Sequence, residues 1–460
     1  MIGSSANSLR VPQPQTAQAT VIPAPVRGMN ASLSVAVDNP EYCLWAINML
    51  PSEYGLRVRK GYREWQLNLP YEARTLVPYA GAGASADYLW QETGDEIILE
   101  DASGFLLLES SGTVANRLFA MCQNGIYDVS VAGETPTLEY TFTTQSADSG
   151  FGTYIHVITE AGAGMIYYAD EANGLFTYTP STNTWAQATG IQAIAGSQGT
   201  LDETDIVFVT QHKLRIWFVE RESAKAWYLP IRAITGDATE FFFASKFRHG
   251  GELVGLYNWT VDGGTGRDDH LIAISREGDV IPWTGEDPAD AMTWTSTGVF
   301  FIGRIPKGRK IAAEYGGELF MLSFFGLTTL SDLLRGGNPE DPFRDQIGYR
   351  IARLLRQDVT DYGDFQGWQL SFATAQGVLL VSCPQRTDDT YRQYVYNLST
   401  YGWGLWHAVP MLCNETVEGV LMFGTKTGSV MRMDVGADNV NLLGDERTSI
   451  KFFVLTSYQS

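Results

Sequence analysis

Short stretches in which apolar and polar positions alternate follow one another along most of the chain, separated by small turn residues. A period of two places one face of a β-strand in a core and the other in solvent. Two stretches 218 residues apart, 178–185 and 396–403, share one pattern. A strand ends at a tyrosine, the chain turns on Ser-Thr, and the next strand begins at a tryptophan. We therefore predict two copies of one hairpin, with Trp185 and Trp403 buried.

A second recurring element is a glycine turn followed by a short alternating strand. It occurs at residues 124–128, 173–178, 316–321 and 427–432. Glycine supplies the positive φ that tight hairpins need. The first two copies are 49 residues apart, and propeller repeats run to roughly 40 to 50 residues.

Repeated hairpins rich in aromatic residues favour a β-propeller, because one four-stranded blade cannot bury both of its apolar faces alone. A β-sandwich is the alternative, since its strands and turns follow a similar pattern. The predicted class is mostly β, a β-propeller with additional small β elements and a short helical insertion.

Helical periodicity is scarce. Ile347, Ile351, Leu354 and Leu355 share one helical face, which predicts a helical insertion at about residues 340–358. The predicted divisions are an extended N-terminal arm (1–30), a docking or opening segment (31–70), the propeller body (71–435) and the start of a C-terminal β element (436–460).

The composition fits a large soluble protein. Charged residues make up 18% of the 460 residues, against an average near 25%. Residues 1–28 lack the apolar core of a secretory signal, and no stretch approaches the ~20 apolar residues of a membrane helix. We therefore expect no stable membrane insertion.

The four cysteines show no CxxC spacing and no cluster with histidine; they are Cys43, Cys122, Cys383 and Cys413. We interpret them as buried thiols of a protein folded in a reducing compartment. Proximity of Cys383 and Cys413 in the fold is the alternative.

The net charge of −20 argues against a surface that grips nucleic acid, because phosphate binding depends on Lys and Arg. It is compatible with a surface past which nucleic acid slides, since negative charge repels the phosphate backbone. Solubility alone explains the charge equally well.

Familiar catalytic motifs are absent: the chain has no G-x-S-x-G elbow, no Walker-type loop and no H-E-x-x-H. Five histidines are scattered without ligand spacing: His156, His212, His249, His270 and His407. The loop with Asp262, Asp268 and Asp269 could hold calcium, but it lacks the EF-hand spacing, and an acidic hairpin loop is the simpler interpretation. We expect a protein that is not an enzyme, and we assign no catalytic, cofactor-binding or metal-binding residue.

Several segments between about residues 40 and 435 together resemble a family of tailed-phage proteins, the propeller-containing nozzle or hub proteins of short tails, also called tail tubular protein B. The opening Asn48-Met49-Leu50-Pro51, followed by Arg57-Val58-Arg59-Lys60-Gly61-Tyr62, looks like the family's N-x-[LF]-P and R-x-G-Y. The other similar segments are 226–230, 247–251, 259–262, the acidic loop 262–269, 275–280, 285–288, 315–319 and Gly367-Trp368.

This resemblance implies a virion protein of the tail, assembled in the host cytoplasm. It implies a ring, expected to be a homohexamer, that continues the portal and adaptor rings and offers attachment to tail fibres or spikes. Double-stranded DNA would pass through it transiently and without sequence specificity. The chain stops within what reads as a strand, where relatives continue, so we expect either a short member or a truncated sequence.

The competing hypothesis is a propeller that binds or cleaves host-surface glycans. A glycosidase of this kind would need two carboxylates about 5 to 9 Å apart in an open funnel. A nozzle needs side surfaces that fit neighbouring copies.

Overall fold

The computed structural model describes residues 24–32, 41–81, 116–159, 164–262, 267–336, 347–384 and 390–456. These residues form a seven-bladed β-propeller, which confirms the predicted fold class.

Four strands precede the first blade: β1 (Cys43–Ile47), β2 (Met49–Ser52), β3 (Gly55–Val58) and β4 (Gly61–Gln66). Blade 1 contains β5 (Ala73–Tyr79), β6 (Arg117–Cys122), β7 (Gly125–Asp128) and β8 (Thr137–Thr141). Blade 2 contains β9 (Gly152–Ile158), β10 (Gly164–Asp170), β11 (Gly174–Thr179) and β12 (Thr184–Gln187). Blade 3 contains β13 (Ile191–Ala193), β14 (Ile206–His212), β15 (Arg215–Glu220), β16 (Lys225–Tyr228) and β17 (Gly236–Phe242).

Blade 4 contains β18 (Leu253–Asp262), β19 (Arg267–Ser275), β20 (Asp279–Thr284), β21 (Thr295–Ser296) and β22 (Phe300–Phe301). Blade 5 contains β23 (Ala312–Tyr315), β24 (Glu318–Ser323) and β25 (Gly326–Thr329), followed by the helices α1 (Leu330–Leu334) and α2 (Ala352–Tyr362). Blade 6 contains β26 (Gln369–Ala373), β27 (Val378–Ser382), β28 (Arg392–Asn397) and β29 (Gly402–His407). Blade 7 contains β30 (Cys413–Val417), β31 (Val420–Gly424) and β32 (Val430–Val435), and β33 (Phe453–Thr456) ends the series.

The circle of seven blades closes through β4, a strand that precedes blade 1 in the sequence. β4 pairs antiparallel with β32 as the outermost strand of blade 7, with Gln66 opposite Val430. A strand from the 31–70 segment therefore belongs to the propeller itself. Such interlocking of early and late strands ties blade 7 to the start of the chain.

Blade 6 is wider than the others because strands from both ends of the chain join it. Its order is β26-β27-β28-β29-β1-β33, with β1 parallel to β29 and β33 antiparallel to β1. Residues 24–30 are the described part of the predicted N-terminal arm, and they pack on the same blade. Met29 donates its backbone N–H to the Trp403 carbonyl at 2.7 Å.

The repeated hairpin is present and structural, as predicted. Tyr178 lies opposite Trp185 between β11 and β12, and Tyr396 lies opposite Trp403 between β28 and β29. Their ring centroids are 5.3 Å and 4.9 Å apart. Both tryptophans are buried. The two copies form the third and fourth strands, counted from the propeller axis, of blades 2 and 6.

The backbone conformation of the hairpin turns explains which residue types occupy them. Asn183 and Tyr401 occupy the same position of the repeated hairpin and both have positive φ, 51° and 56°. Gly174 has φ 83°, as its turn predicted. Gly125 differs, because its φ is not positive; an added Cβ would lie 2.1 Å from the Tyr140 carbonyl oxygen. Close approach of two strands, rather than turn geometry, requires glycine at that position.

The main helix lies later than the predicted 340–358. α2 spans Ala352–Tyr362 after a 3-10 turn at Tyr349–Ile351, and residues 337–346 lie outside the described residues. Ile351, Leu355 and Val359 are buried in the core. The apolar face was therefore placed correctly, while the pattern alone did not fix where the helix begins and ends.

All four cysteines are buried thiols. Cys413 lies near Cys122 at the junction of blades 7 and 1, and burial raises the pKa of the Cys413 thiol to about 12. Cys383 packs in a different core cluster. In the described part of the chain, no helix is long and apolar enough to span a membrane.

Candidate functional site

The propeller axis contains a cavity of about 390 Å³. The innermost strands β9, β14, β18, β23, β26 and β30 line it, so it lies where six blades meet. We call the face where the innermost strands begin the upper face, and the face where they end the lower face.

A buried ion pair crosses the upper end of this axis. Arg309, which leads into blade 5, contacts Glu171 of blade 2 with Nε–Oε2 at 2.8 Å. Its Nη1 also donates to the carbonyls of Leu253 and Val254, at 2.9 Å and 2.8 Å, at the start of blade 4. Burial alone would raise the pKa of the Glu171 carboxyl, and the Arg309 guanidinium lowers it below its ordinary value.

A second pair follows nearly the same path. Lys307 Nζ lies 2.7 Å from Asp148 Oδ1, joining the segments that lead into blades 5 and 2. Both pairs cross the upper end of the axial cavity, and its volume of about 390 Å³ is far too small for a DNA duplex. A DNA duplex cannot follow the axis of a single propeller.

The cavity wall carries charged groups that already interact with one another. Tyr154 hydrogen-bonds with Glu415, and burial raises the pKa of the Tyr154 hydroxyl well above its ordinary value, with the Glu415 charge adding to the effect. Lys310 Nζ lies 5.5 Å from the centre of the Tyr154 ring. Gln369 donates to the Asn414 carbonyl at 2.7 Å. These contacts join neighbouring strands of the cavity wall to one another.

The acidic loop joins β18 and β19, where Asp262 pairs with Arg267 in the backbone register. Residues 263–266 lie outside the described residues. Within the described residues, no group of three or more His, Cys, Asp or Glu side chains could hold a metal ion. The side chains of Asp262 and Asp268, on which the calcium interpretation depends, lie outside the described part of the structure.

The structure keeps the histidines in separate surroundings. His212 Nδ1 lies 2.8 Å from Asn258 Oδ1, and burial lowers the pKa of its imidazole. His249 Nδ1 lies 2.7 Å from Asp279 Oδ1, at the entrance to blade 4. Both contacts hold blade segments together and do not form a shared site.

A polar network that we name the terminal clamp lies outside the blades; it consists of Asn48, Arg59 and Asp438. Arg59 donates from Nη1 and Nη2 to the two Asp438 oxygens at 2.7 Å and 2.6 Å, and from Nε to Asn48 Oδ1 at 3.0 Å. Asn48, at φ 56°, donates to the Lys451 carbonyl at 2.7 Å. The opening motif thus holds the C-terminal segment against the propeller.

The clamp supports an exposed apolar surface that we name the rim surface: the outer edge of β33 with Phe452, Phe453 and Leu455. All three side chains are exposed, Phe453 by 51%. β33 pairs with β1 on one side, and no described strand pairs with its other side. Sequence reasoning missed this surface, because the segment looked like an interrupted strand whose partner could not be inferred.

Comparisons with known proteins do not indicate a function for this chain. No protein-family model and no curated protein matches the chain. Among solved structures it is similar to the computationally designed Ika8 protein (TM-score 0.42, 9% identity, covering 82% of this chain and 100% of that one). It is also similar to YCF48 bound to D1 peptide, with a TM-score of 0.38 and 10% identity, covering 80% of this chain and 97% of that one. A third similar structure is BBS1N in complex with ARL6DN, with a TM-score of 0.38 and 10% identity, covering 71% of this chain and 90% of that one. Function has to be inferred from the chain's own surfaces.

Proposed function

We propose that the chain is a structural protein of a short phage tail, where copies form the ring-shaped nozzle or hub below the head-to-tail connector. The observation that carries the proposal is the rim surface, held rigidly by the terminal clamp. The resemblance of the opening motif to the tail tubular protein B family supports it, since Asn48 and Arg59 of that motif build the clamp.

The rim surface has the properties of a contact between chains. An exposed strand edge offers unpaired backbone groups to another chain, and proteins normally cover or charge such edges. Here the edge carries two phenylalanines and a leucine instead. Aromatic residues are enriched at the cores of protein interfaces. A neighbouring copy or a segment of the adaptor ring would pair with it.

In this proposal DNA passes through the lumen of the ring, because the axial cavity of each propeller, about 390 Å³, is too small for a duplex and the Arg309–Glu171 pair crosses it. A chain of net charge −20 would repel the phosphate backbone and keep the duplex mobile. Portal and adaptor rings above, and fibres or spikes at the sides, are the proposed partners.

The proposed location is tested by labelling purified phage particles that encode the chain with gold-conjugated antibody against the purified propeller. We expect label below the head, and peptides of the chain at several copies per particle by mass spectrometry. A chain abundant in infected cells but absent from washed particles would overturn the assignment.

A second candidate, glycan binding, rests on the axial cavity. Tyr315 and Phe372 stack at its lower mouth with ring centroids 4.8 Å apart, and aromatic faces of this kind can stack on sugar rings. Glycan-array binding by a monomer that is lost in Phe372→Ala, with melting unchanged, would favour this function. Binding of no glycan by the array would remove its support.

A further inference from the structure

A groove of about 590 Å³, lined by aliphatic and polar side chains, opens on the lower face between blades 2 and 3. The end of β9, the β14–β15 turn and the loop after β16 line it. Ile158 at its edge is 76% exposed, and Leu214 is also exposed. Large aliphatic side chains gathered around one groove are typical of a surface that another protein covers.

The groove is built from strained backbone. Leu214 and Arg232 have φ of 62° and 61°, and the Arg232 N–H donates to the Leu214 carbonyl at 2.8 Å. Residues other than glycine rarely adopt this left-handed conformation. The exposed Arg232 guanidinium has no ion-pair partner within the described part of the chain. The groove thus combines aliphatic side chains with the positive charge of Arg232, and its wall also contains His156, Thr159 and Gln211.

The complementary feature is a tight turn at residues 441–446, which we name the tip. Leu443 is 86% exposed at its apex, and Asp445 and Glu446 follow it. Asn441 fixes the turn: its Nδ2 donates to Asp445 Oδ1 at 2.6 Å, and its Oδ1 accepts from the Asp445 N–H at 3.1 Å. A turn held in this way loses little entropy on binding.

The tip cannot reach the groove of its own chain. Leu442 lies beside Gly133 of blade 1, whereas the groove lies between blades 2 and 3. An occupant with apolar side chains next to carboxylates matches the aliphatic walls and Arg232. The tip of a second copy has this chemistry.

We propose that Leu443 of one copy inserts into the groove between blades 2 and 3 of the next copy, with Glu446 facing Arg232. Two different patches would then meet head to tail, the type of contact that closes identical chains into a ring. This inference rests on the proposed ring and names the contact that builds it.

The test compares full-length variants by native mass spectrometry and sedimentation at micromolar concentration. Leu443→Asp and Arg232→Glu should each raise the dissociation constant of the assembly at least tenfold, and so should Glu446→Arg. The double variant Arg232→Glu with Glu446→Arg should recover most of the loss, because it restores opposite charges. Met292→Asp, at another exposed apolar position of the lower face, is the matched control and should assemble like the parent.

Circular dichroism and melting must show that every variant is folded. Rings that persist unchanged in Leu443→Asp and Arg232→Glu would overturn this contact and leave the ring assignment standing. A folded parent that stays monomeric at all concentrations would overturn both.

Discussion

Trp185 and Trp403 illustrate how single residues determine the stability of the blades. Each is buried against the tyrosine opposite it, so replacement by alanine removes packing on both sides. We expect Trp185→Ala and Trp403→Ala each to lower the free energy of unfolding by about 3 to 5 kcal/mol. Urea denaturation measures this, with Tyr54→Ala, almost fully exposed, as the control. Variants that melt like the parent would show that the indoles are not core residues.

The buried carboxyl of Asp170 is a second single residue that affects stability, and its effect depends on pH. The buried carboxyl accepts hydrogen bonds from the Gly150 N–H at 2.6 Å and the Tyr168 hydroxyl at 2.9 Å, and burial raises its pKa to about 6. The native state therefore holds this proton between about pH 4 and 6, where an unfolded Asp has released it. Stability from this group is present at low pH and falls as the pH rises through 6.

We expect the stability of the parent relative to Asp170→Asn to fall by an amount on the order of 3 kcal/mol between pH 4 and pH 7. Urea unfolding of both proteins at a series of pH values checks the sign. A difference that is flat, or that grows with pH, would contradict the assigned shift.

At the scale of elements, local pairing was predictable and distant pairing was not. The hairpin of Tyr396 and Trp403 follows from adjacent residues, whose turn and alternation are local signals. The pairing of β4 with β32 joins residues far apart in sequence, and no local pattern specifies such a partner. The rim surface could not be predicted for the same reason. The exposure of Phe453 depends on the position of β33 at the sheet edge, which the local sequence does not specify. The resemblance pointed to the 48–62 region, but not to Asp438 as the partner of Arg59.

The terminal clamp predicts how these elements separate. Arg59→Ala leaves the Asp438 carboxylate without its bidentate partner, and breaking a buried pair costs roughly 3 to 5 kcal/mol. The C-terminal segment should detach before the propeller unfolds, since β33 lies at the edge of its sheet and pairs only with β1 among the described strands. Trypsin should then cut after Arg447 and Lys451 faster than in the parent, and leave a resistant propeller.

Arg304→Ala is the matched control, because its pair with Asp364 is exposed on both sides. Equal cleavage rates in parent, Arg59→Ala and control would mean that the clamp does not hold the segment.

At the scale of the whole molecule, the buried Arg309–Glu171 pair connects blades that are not neighbours in the propeller. Arg309 contacts blades 2 and 4 from the start of blade 5. Arg309→Met should destabilise the protein by about 3 to 5 kcal/mol, because the buried Glu171 charge loses its partner. The double variant Arg309→Met with Glu171→Met should recover much of this loss. Thermal melting of the four proteins measures the coupling, and simple additivity would show that the pair does not hold the upper face closed.

The central claim is that copies of this chain assemble into a closed ring through their outer surfaces, so native mass spectrometry of the purified full-length protein tests it most directly. The account predicts one dominant closed species, six times the chain mass of 50.7 kDa. It also predicts that Phe453→Asp with Leu455→Asp, on the rim surface, shifts the population to folded monomers. A parent that remains monomeric at every concentration, in the presence of its connector proteins as well, would contradict the account.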